Sequence, residues 1–278
     1  MNLTLDRYGV MGNPIAHSKS PQIHRLFADQ VGQAISYEAL LAPLDGFADA
    51  VAQFHADGGK GLNITVPFKE HAWQLVNELS PRAELAGAVN TIKFEDDGAW
   101  FGDNTDGVGL VRDITVNHAI GLSGRRVLLL GAGGAIRGVL QPLLEQNPEA
   151  ILVANRTADK AVELAKIFNR LGEIHGVGLD TLAGQQFDVI VNGTAASLHG
   201  AELPLPDDLL AAGGCCYDMM YSAEATVFQH WARGHGARLA LDGLGMLVEQ
   251  AAESFFLWRG VRPDTVPVIE AVRGAMAG

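Results

Sequence analysis

RVLLLGAGGAIRG, residues 126–138, is the stretch that decides the fold. Residues 127–130 are all apolar, which is typical of a strand buried on both faces of a parallel sheet. A glycine-rich turn follows at once, and apolar side chains then recur at helical spacing from Ile136. A glycine turn between a strand and a helix N-terminus forms an anion site, because backbone N–H groups and the helix dipole point toward it. The candidate phosphate contacts are Gly131, Ala132, Gly133, Gly134 and Ala135.

The match of this turn to the dinucleotide fingerprint G-x-G-x-x-G is partial. The third glycine of that pattern falls at position 136, where this chain has Ile136. The turn alone therefore leaves two interpretations open, a tight turn between a strand and a helix or a nucleotide site.

The end of the next strand favours the nucleotide site and indicates which nucleotide. The apolar run 150–154 ends in Asn155, Arg156 and Thr157, with Lys160 beyond. An NAD site places a carboxylate on the ribose 2′-hydroxyl about 20 residues after the glycine turn. A guanidinium stands here instead, and it can hold a 2′-phosphate with two hydrogen bonds. The sequence predicts an NADP site, and the alternative is a solvated arginine at a strand end.

The α/β pattern continues through the second half of the chain. A strand at 187–191 ends in Asn192, Gly193 and Thr194, and further strands are expected at 215–221 and 238–241. We expect Thr194 at the cofactor edge of the sheet, where the carboxyl ends of parallel strands meet.

Composition limits the classes of function. The chain has 278 residues, 48% of them hydrophobic and 19% charged, which is enough to bury two cores. A net charge of −12 argues against nucleic-acid binding. We expect no membrane span and no signal peptide, since no apolar run approaches about 20 residues. Cys215 and Cys216 are adjacent, which fits a reducing cytoplasm, and no histidine spacing indicates a metal.

The N-terminal half carries polar residues at strand and helix ends. In the motif HSKSP we expect Ser20 to cap a helix that has Pro21 at its first position. Ser18 and Ser20 either shape this helix start or bind a carboxylate at it.

A strand at 61–66 should place Asn63 and Thr65 on one face and its apolar residues Leu62, Ile64 and Val66 on the other. Lys69 follows in the first turn of a helix, where the helix dipole disfavours a cation. A lysine in that place either has a partner or points into water.

Three further polar sites complete the pattern. GAVNT, residues 87–91, precedes a hairpin over 92–101, and DNTDG, residues 103–107, follows it. Asp103, Asn104 and Thr105 suit turn and cap positions, and Asp106 lies deeper. A helix at 246–258 carries Gln250 on an otherwise apolar face, where it either satisfies a buried carbonyl or touches a ligand.

The motifs HSKSP, NITVPFK, GAVNT, DNTDG, GAGGA, NRT, YDMMY and DGLGMLVEQA together resemble those of shikimate dehydrogenases. They extend over residues 17–253 in the order of that family. The resemblance implies an α/β protein of two domains. An N-terminal substrate domain, 1–106, would be completed by a C-terminal segment, 240–278. A Rossmann-like NADP domain would occupy 107–239, with the active site in the cleft between the domains.

The resemblance also implies the activity, the reversible NADP-dependent reduction of 3-dehydroshikimate to shikimate in chorismate biosynthesis. The implied catalytic pair is Lys69 and Asp106. The implied substrate contacts are Ser18, Ser20, Asn63, Thr65, Lys69, Asn90, Asp106, Tyr221 and Gln250. The implied cofactor contacts are the five residues of the glycine turn with Asn155, Arg156, Thr157, Lys160, Thr194, Met219 and Gly243. Many relatives have an acid where this chain has Pro81, so no cofactor contact is assigned there.

Chemistry supports the pair, because a hydride that reaches a ketone carbon makes an alkoxide in need of a proton. We expect Lys69 to be the general acid in reduction and the base in the reverse direction, oriented by Asp106. Three rival functions are a paralogue that also uses quinate or NAD, a silent NADP-binding sensor, and a carboxylate-binding module. The sequence leaves open whether the chain is a monomer or a homodimer.

Overall fold

The computed structural model describes residues 5–194 and 203–277. These residues form two compact units, one from residues 5–109 with 248–275 and the other from residues 110–247. Each unit is built around its own β-sheet flanked by helices. The assignment of functions to the segments 1–106, 107–239 and 240–278 stays a prediction.

The first unit contains the strands and helices up to residue 103. Two further helices from the C-terminal part of the chain complete it. Its elements in chain order are β1 (Asp6–Gly12), α1 (Ser20–Val31), β2 (Ile35–Leu41), α2 (Phe47–Ala56), β3 (Gly59–Ile64), α3 (Lys69–Leu75), β4 (Glu78–Leu79), α4 (Pro81–Ala86), β5 (Thr91–Phe94) and β6 (Trp100–Asp103). Helix α5 (Asp106–Arg112) then leads into the second unit.

The second unit repeats a strand-and-helix alternation. It opens with a π-helical turn at Asp113–Asn117, and its regular elements are β7 (Arg126–Leu130), α6 (Gly134–Leu144), β8 (Ala150–Asn155), α7 (Ala158–Phe168), β9 (Ile174–Gly178), β10 (Phe187–Asn192), β11 (Leu210–Asp218), α8 (Val227–Gly234) and β12 (Leu239–Leu241). Helices α9 (Leu244–Arg259) and α10 (Val266–Ala277) follow.

The sheet of the first unit is mixed and has the strand order β2-β1-β3-β5-β6-β4. Strand β1 pairs in parallel with β2 and β3, whereas β5 runs antiparallel to both β3 and β6. The β3–β5 register sets Asn63 opposite Thr91, and the β5–β6 register sets Thr91 opposite Asp103. Three polar side chains thus follow one another across neighbouring strands.

The sheet of the second unit is parallel throughout, in the order β12-β11-β10-β7-β8-β9. The chain winds outward from β7 through β8 to β9, then returns to β10 on the other side of β7. The order therefore reverses between β7 and β10, and such a switch point is where open α/β sheets bind ligands. The predicted phosphate turn follows β7 directly. No helix in the described ranges is long and apolar enough to span a bilayer.

Two local expectations were wrong. Helix α1 begins at Ser20 itself, with Lys19 as N-cap, and Ser18 Oγ accepts a hydrogen bond from the Ser20 N–H at 3.3 Å. The predicted alternation also fails at Val66, which is 62% exposed, because β3 ends at Ile64 and the chain turns before Pro67.

Candidate active site

Lys69 and Asp106 form an ion pair in the first unit. Lys69 Nζ lies 2.6 Å from Asp106 Oδ2, and the side chains are 31% and 14% exposed. Lys69 is the first residue of α3, and its carbonyl accepts from Val89 N at 2.9 Å, which ties the helix start to the GAVNT segment. The cation therefore has a partner and does not extend into water alone. A partly exposed ammonium beside a carboxylate can donate and recover a proton while it stays oriented.

Asn90 links this pair to the substrate-binding residues predicted beside it. Asn90 Nδ2 donates to Asp106 Oδ1 at 2.7 Å and lies 3.4 Å from Gln250 Oε1. Asn90 Oδ1 accepts from Thr105 N at 2.9 Å. The structure thus brings together four of the predicted residues, Lys69, Asp106, Asn90 and Gln250. The ligand interpretation of Gln250 gains support because its amide faces this group.

Asn63 and Thr65 lie on the same edge of the sheet. Asn63 is buried at the end of β3, and its Nδ2 donates to the carbonyl of Asn90 at 3.2 Å. Thr65 is half-buried after the strand, and its N–H donates to Met11 O at 3.0 Å. A Cβ on Gly12 would come within 2.4 Å of Thr65 Cγ2, so glycine at position 12 leaves room for the threonine.

The two serines of HSKSP lie at the start of α1. Ser20 is buried, whereas Ser18 is half-buried and receives the N–H of Ser20. Tyr221, the third predicted carboxylate contact, belongs to the second unit. Burial raises the pKa of its phenol, so the hydroxyl stays protonated at neutral pH and can donate to an anion.

The glycine turn after β7 leaves the N-terminus of α6 without a side-chain cap. Gly131 has φ +105°, a conformation that side-chain-bearing residues rarely adopt. Gly133 is the N-cap of the 11-residue helix α6 and supplies no side chain to satisfy the first N–H groups. A Cβ on Gly133 or Gly134 would meet nothing within 4 Å, so the space above the helix N-terminus is open. These features fit a pyrophosphate held by backbone N–H groups.

The predicted 2′-phosphate contacts lie one strand away. Strand β8 pairs with β7 so that Ala154 lies opposite Leu130, which places Asn155 and Gly131 at the same edge. Asn155 Nδ2 donates to Thr157 O at 2.9 Å and closes the turn into α7. Arg156 and Lys160 are exposed at the start of that helix. Two cations beside the carboxyl end of β8 fit an anionic group on the ribose.

The remaining predicted cofactor contacts surround the switch point. Thr194 Oγ1 donates to Asn192 Oδ1 at 2.7 Å, and a Cβ on Gly131 would approach Thr194 Cγ2 at 3.2 Å. Met219 N donates to Asn192 O at 2.9 Å. A Cβ on Gly243 would lie 2.2 Å from Met219 O, so no side chain fits at position 243 without moving the backbone. Thr194, Met219 and Gly243 therefore share one edge.

Several side chains that support these residues were not predicted as site residues. Asp218 is fully buried, accepts from Asn192 Nδ2 at 3.1 Å and from Thr226 Oγ1 at 2.7 Å, and so holds the Asn192 side chain on which Thr194 depends. In the first unit Tyr37, Thr91 and Ser254 contact Asn63. Thr91 lies in the GAVNT motif, and Ser254 lies one helical turn after Gln250. Their closeness to these predicted site residues was the one sequence signal that could have identified them.

Three family models cover most of the chain. Residues 10–92 match the shikimate dehydrogenase substrate binding domain, residues 114–201 match shikimate / quinate 5-dehydrogenase, and residues 243–273 match the shikimate 5'-dehydrogenase C-terminal domain. The first match contains Asn63, Lys69 and Asn90, and the second contains the glycine turn and Arg156.

Relatives and solved structures agree with the models along the whole chain. A shikimate dehydrogenase (NADP(+)) from Alkalilimnicola ehrlichii is 62% identical over 268 residues, which are 96% of this chain and 98% of that protein. An Ael1 enzyme from Pseudomonas putida is 48% identical, with TM-score 0.90 over 96% of this chain and 97% of that one. Shikimate 5-dehydrogenase from Thermus thermophilus, crystallised with NADP(H) and shikimate, is 34% identical, with TM-score 0.86 over 98% of this chain and 100% of that one. Since the motifs, the two folds and this identity over nearly the full length coincide, the chain belongs to the shikimate dehydrogenase family.

Proposed function

We propose that this protein catalyses the reversible reduction of 3-dehydroshikimate to shikimate with NADPH, a step in the biosynthesis of chorismate and the aromatic amino acids. The observation that carries the proposal is the ion pair of 2.6 Å between Lys69 Nζ and Asp106 Oδ2, with the Asn90 amide on the same carboxylate. A site that only bound a cofactor or a carboxylate would need no such arrangement. The named relatives and the complex with NADP(H) and shikimate support the same reaction.

The substrate is held by groups that match its functional groups. Ser18, Ser20 and Tyr221 offer hydroxyl donors to the carboxylate without a full positive charge. Asn63, Thr65, Asn90, Asp106 and Gln250 offer amide, hydroxyl and carboxylate groups to the ring hydroxyls. Directional hydrogen bonds of this kind select a polyhydroxylated ring over an apolar one.

Lys69 carries the proton. When hydride reaches the ketone carbon, the C=O π electrons move to oxygen, and Lys69 Nζ–H delivers a proton to that oxygen. In the reverse direction the neutral amine of Lys69 removes the proton of the hydroxyl as hydride leaves the carbon. Asp106 stabilises the ammonium form and fixes the position of Nζ. Asn90 holds Asp106 in turn through Oδ1.

The cofactor is assigned to the second unit. The glycine turn and α6 N-terminus would hold the pyrophosphate, Arg156 with Asn155, Thr157 and Lys160 would hold the 2′-phosphate, and Thr194, Met219 and Gly243 would border the nicotinamide half. When bound, NADPH supplies the hydride. The proton that reduction consumes reaches the substrate through Lys69, which regains it from solvent.

One assay separates this function from its rivals. NADP reduction is followed at 340 nm with shikimate, then with quinate, then with shikimate and NAD in place of NADP. We expect turnover with shikimate and NADP, and much weaker turnover in the other two reactions. Equal rates with quinate would indicate the dual-substrate paralogue, and binding of NADP without turnover would indicate the silent sensor.

Lys69→Ala tests the proton-transfer role. We expect kcat to fall at least 100-fold, since general acid–base catalysis contributes about 10²–10⁴-fold. The shikimate KM should stay within about tenfold, a change below about 1.4 kcal/mol in binding.

Lys93→Ala is the matched control for this change. Lys93 also forms an ion pair in the first unit, but it lies on β5 and its partner is Glu95, at 2.9 Å. Lys93→Ala should leave kcat and the shikimate KM near those of the wild type. Near-normal turnover in Lys69→Ala would refute the assignment.

We also infer a cytoplasmic location. Cys215 and Cys216 are both buried free thiols, which suits a reducing compartment, and the substrate is a soluble metabolite.

A further inference from the structure

Two buried hydroxyls meet between β5 and α9. Thr91 Oγ1 and Ser254 Oγ lie 2.7 Å apart, and both residues are 0% exposed. We refer to Thr91 and Ser254 as the hydroxyl pair. Neither hydroxyl can touch a ligand without rearrangement, because the surrounding protein already covers it. Whatever the pair does for the reaction must act through its neighbours.

One neighbour is the carboxamide of Asn63. Asn63 Nδ2 donates to Ser254 Oγ at 2.9 Å and lies 3.1 Å from Thr91 Oγ1. The Asn90 carbonyl, 3.2 Å from the same nitrogen, can only accept, so the amide nitrogen and not the oxygen must face it. Asn63 Oδ1 accepts from the Tyr37 hydroxyl at 2.8 Å and has a second lone pair. The amide is thereby held in one orientation.

The other neighbour is the carboxamide of Asn90. Thr91 Oγ1 donates to Asn90 Oδ1 at 2.8 Å, which leaves Asn90 Nδ2 directed at Asp106 Oδ1, 2.7 Å away. A single threonine hydroxyl thus fixes the oxygen end of one amide and accepts from the nitrogen end of another. Ser254 in turn fixes Thr91, because Thr91 donates its own proton to Asn90 and therefore accepts the hydrogen bond from Ser254 Oγ.

We propose that Thr91 and Ser254 are positioning residues, which hold the Asn63 and Asn90 carboxamides in the orientation that binds the substrate. The proposal rests on the proposed function, which assigns Asn63 and Asn90 to the ring hydroxyls of the substrate. An amide that is held before binding loses little rotational freedom when the ligand arrives, so the ligand binds more tightly. Without the hydroxyl pair, Asn63 keeps the Asn90 carbonyl and Asn90 keeps the Thr105 N–H, but each amide is held by fewer bonds and loses more freedom when the ligand binds.

The test uses a matched pair of variants at one position. Thr91→Val keeps the shape of the side chain and removes the hydroxyl, whereas Thr91→Ser keeps the hydroxyl and removes a methyl group. We expect Thr91→Val to raise the shikimate KM about 10-fold, the loss of one to two hydrogen bonds. Its kcat should change less than about threefold and its NADP KM should not change. Thr91→Ser should restore the shikimate KM to within about twofold of the wild type.

Ser254→Ala is the second variant and remains informative if Thr91→Val does not fold. Asn63 Nδ2 keeps Thr91 and the Asn90 carbonyl in this variant, so the shikimate KM should rise about threefold. The double variant should raise KM by less than the product of the single effects, because the two hydroxyls bond to each other.

Thr265→Val is the control for the loss of a buried hydroxyl in the same unit. Thr265 Oγ1 donates to the buried carboxylate of Glu249, outside the set of residues that contact Asn63 and Asn90. This variant should lower the melting temperature and leave the shikimate KM unchanged. If the hydroxyl pair were merely structural, Thr91→Val would likewise lower the melting temperature and leave the shikimate KM unchanged.

The outcomes are distinct. A wild type that does not reduce NADP with shikimate refutes the proposed function. With an active wild type, the positioning role is overturned if Thr91→Val and Ser254→Ala both keep the shikimate KM within about 1.5-fold, less than the loss of one hydrogen bond would produce. The role is also overturned if Thr91→Ser is as impaired as Thr91→Val.

Discussion

At the scale of the residue, we predict that Arg156 selects NADP over NAD. Its guanidinium is exposed just after β8, at the edge that carries the glycine turn, with Lys160 nearby. An arginine binds a phosphate through two charge-assisted hydrogen bonds, and NAD has no phosphate at this point. We expect Arg156→Ala to raise the NADP KM at least 10-fold and to leave the NAD KM within about threefold, because hydrogen bonds to charged groups contribute about 1.5–3 kcal/mol. Initial rates measured over a range of NADP concentrations and a range of NAD concentrations give the two KM values.

Lys166→Ala controls for the change in net charge. Lys166 is an exposed cation in the last turn of α7. This helix begins just after Arg156, so Lys166 lies at its opposite end. The NADP KM of this variant should equal that of the wild type. An equal loss in both variants would mean that the charge of the helix, and not contact with the 2′-phosphate, sets the affinity.

The sequence identified individual site residues, but it did not identify the side chains that they contact. The motifs identified Lys69 and Asp106, but they stand 37 positions apart, and spacing alone cannot show that their charges lie 2.6 Å from each other. Thr91 and Ser254 went unassigned because threonine and serine are common residues and their pairing spans 163 positions. Such contacts arise from strand register and helix packing, which no local pattern encodes.

At the scale of the element, α1 carries a histidine sealed against aromatic rings. His24 is 0% exposed and stacks on Tyr37 with ring centroids 4.1 Å apart. Burial lowers the pKa of this imidazole to about 3, because the charged form would lose its hydration. The Asn63 side chain favours the charged imidazole, but this effect is smaller than that of burial. The helix therefore packs with His24 neutral.

This burial predicts a dependence of stability on pH. Below pH 6.5 the unfolded chain binds a proton at His24 that the folded protein does not bind until about pH 3. The free energy of unfolding should thus fall as the pH drops through this window, with a contribution from His24 of about 1.4 kcal/mol per pH unit. His24→Phe should remove that contribution. Urea titrations of wild type and variant between pH 6 and pH 4 give the difference in slope.

His230→Ala is the control, since His230 is an exposed histidine on α8. Its slope should match that of the wild type. Parallel slopes for the wild type and His24→Phe would contradict a neutral buried imidazole in the folded state.

Elements with a strong pattern were predicted well, and their ends were not. The all-apolar run and glycine turn predicted β7 and the start of α6 closely, because a buried parallel strand has few other sequence patterns. The start of α1 was misplaced by one residue, since two serines flank it and either can supply a hydroxyl. Val66 was assigned to a strand that ends two residues earlier. The end of a helix or strand depends on the backbone dihedral angles of single residues, and the periodicity of apolar residues does not indicate these angles.

At the scale of the whole molecule, the two units should respond to different ligands. We expect shikimate alone to slow amide hydrogen exchange around residues 63–65, 90–91 and 250–254, all in the first unit. NADP alone should slow exchange around 131–135 and 155–160 in the second. Ligands protect the segments that they hold, and saturation at 100 times the Kd stabilises the bound form by about 2.7 kcal/mol. Mass spectrometry of peptides from each segment measures this.

Exchange in the peptide that contains Glu173 and His175 serves as the internal reference. Glu173 Oε1 and His175 Nε2 lie 2.6 Å apart on an exposed surface at β9, the edge strand of the second sheet. Their exchange should be the same with and without each ligand. Protection of residues 63–65 by NADP alone, without protection of 131–135, would contradict the assignment of ligands to units.

The fold class and the presence of two sheets followed from the sequence, because strands and helices alternate over both halves. The antiparallel insertion of β5 and β6 into the first sheet was predicted only as a hairpin, without its place beside β3. Strand order in a sheet depends on long-range pairing, whereas a hairpin is a local structure with a turn signal of its own.

The hydrogen bond between Asn63 and Ser254 joins positions 191 residues apart, which has a consequence for synthesis of the protein. A ribosome that adds about 5–20 residues per second needs about 10–40 s between the two codons. Residues 110–247 are synthesised within that interval, so the glycine turn can form while the Asn63 amide still lacks its Ser254 partner. Translation that stops before codon 254 therefore yields a nascent chain that contains the whole phosphate-binding turn and an unfinished substrate network.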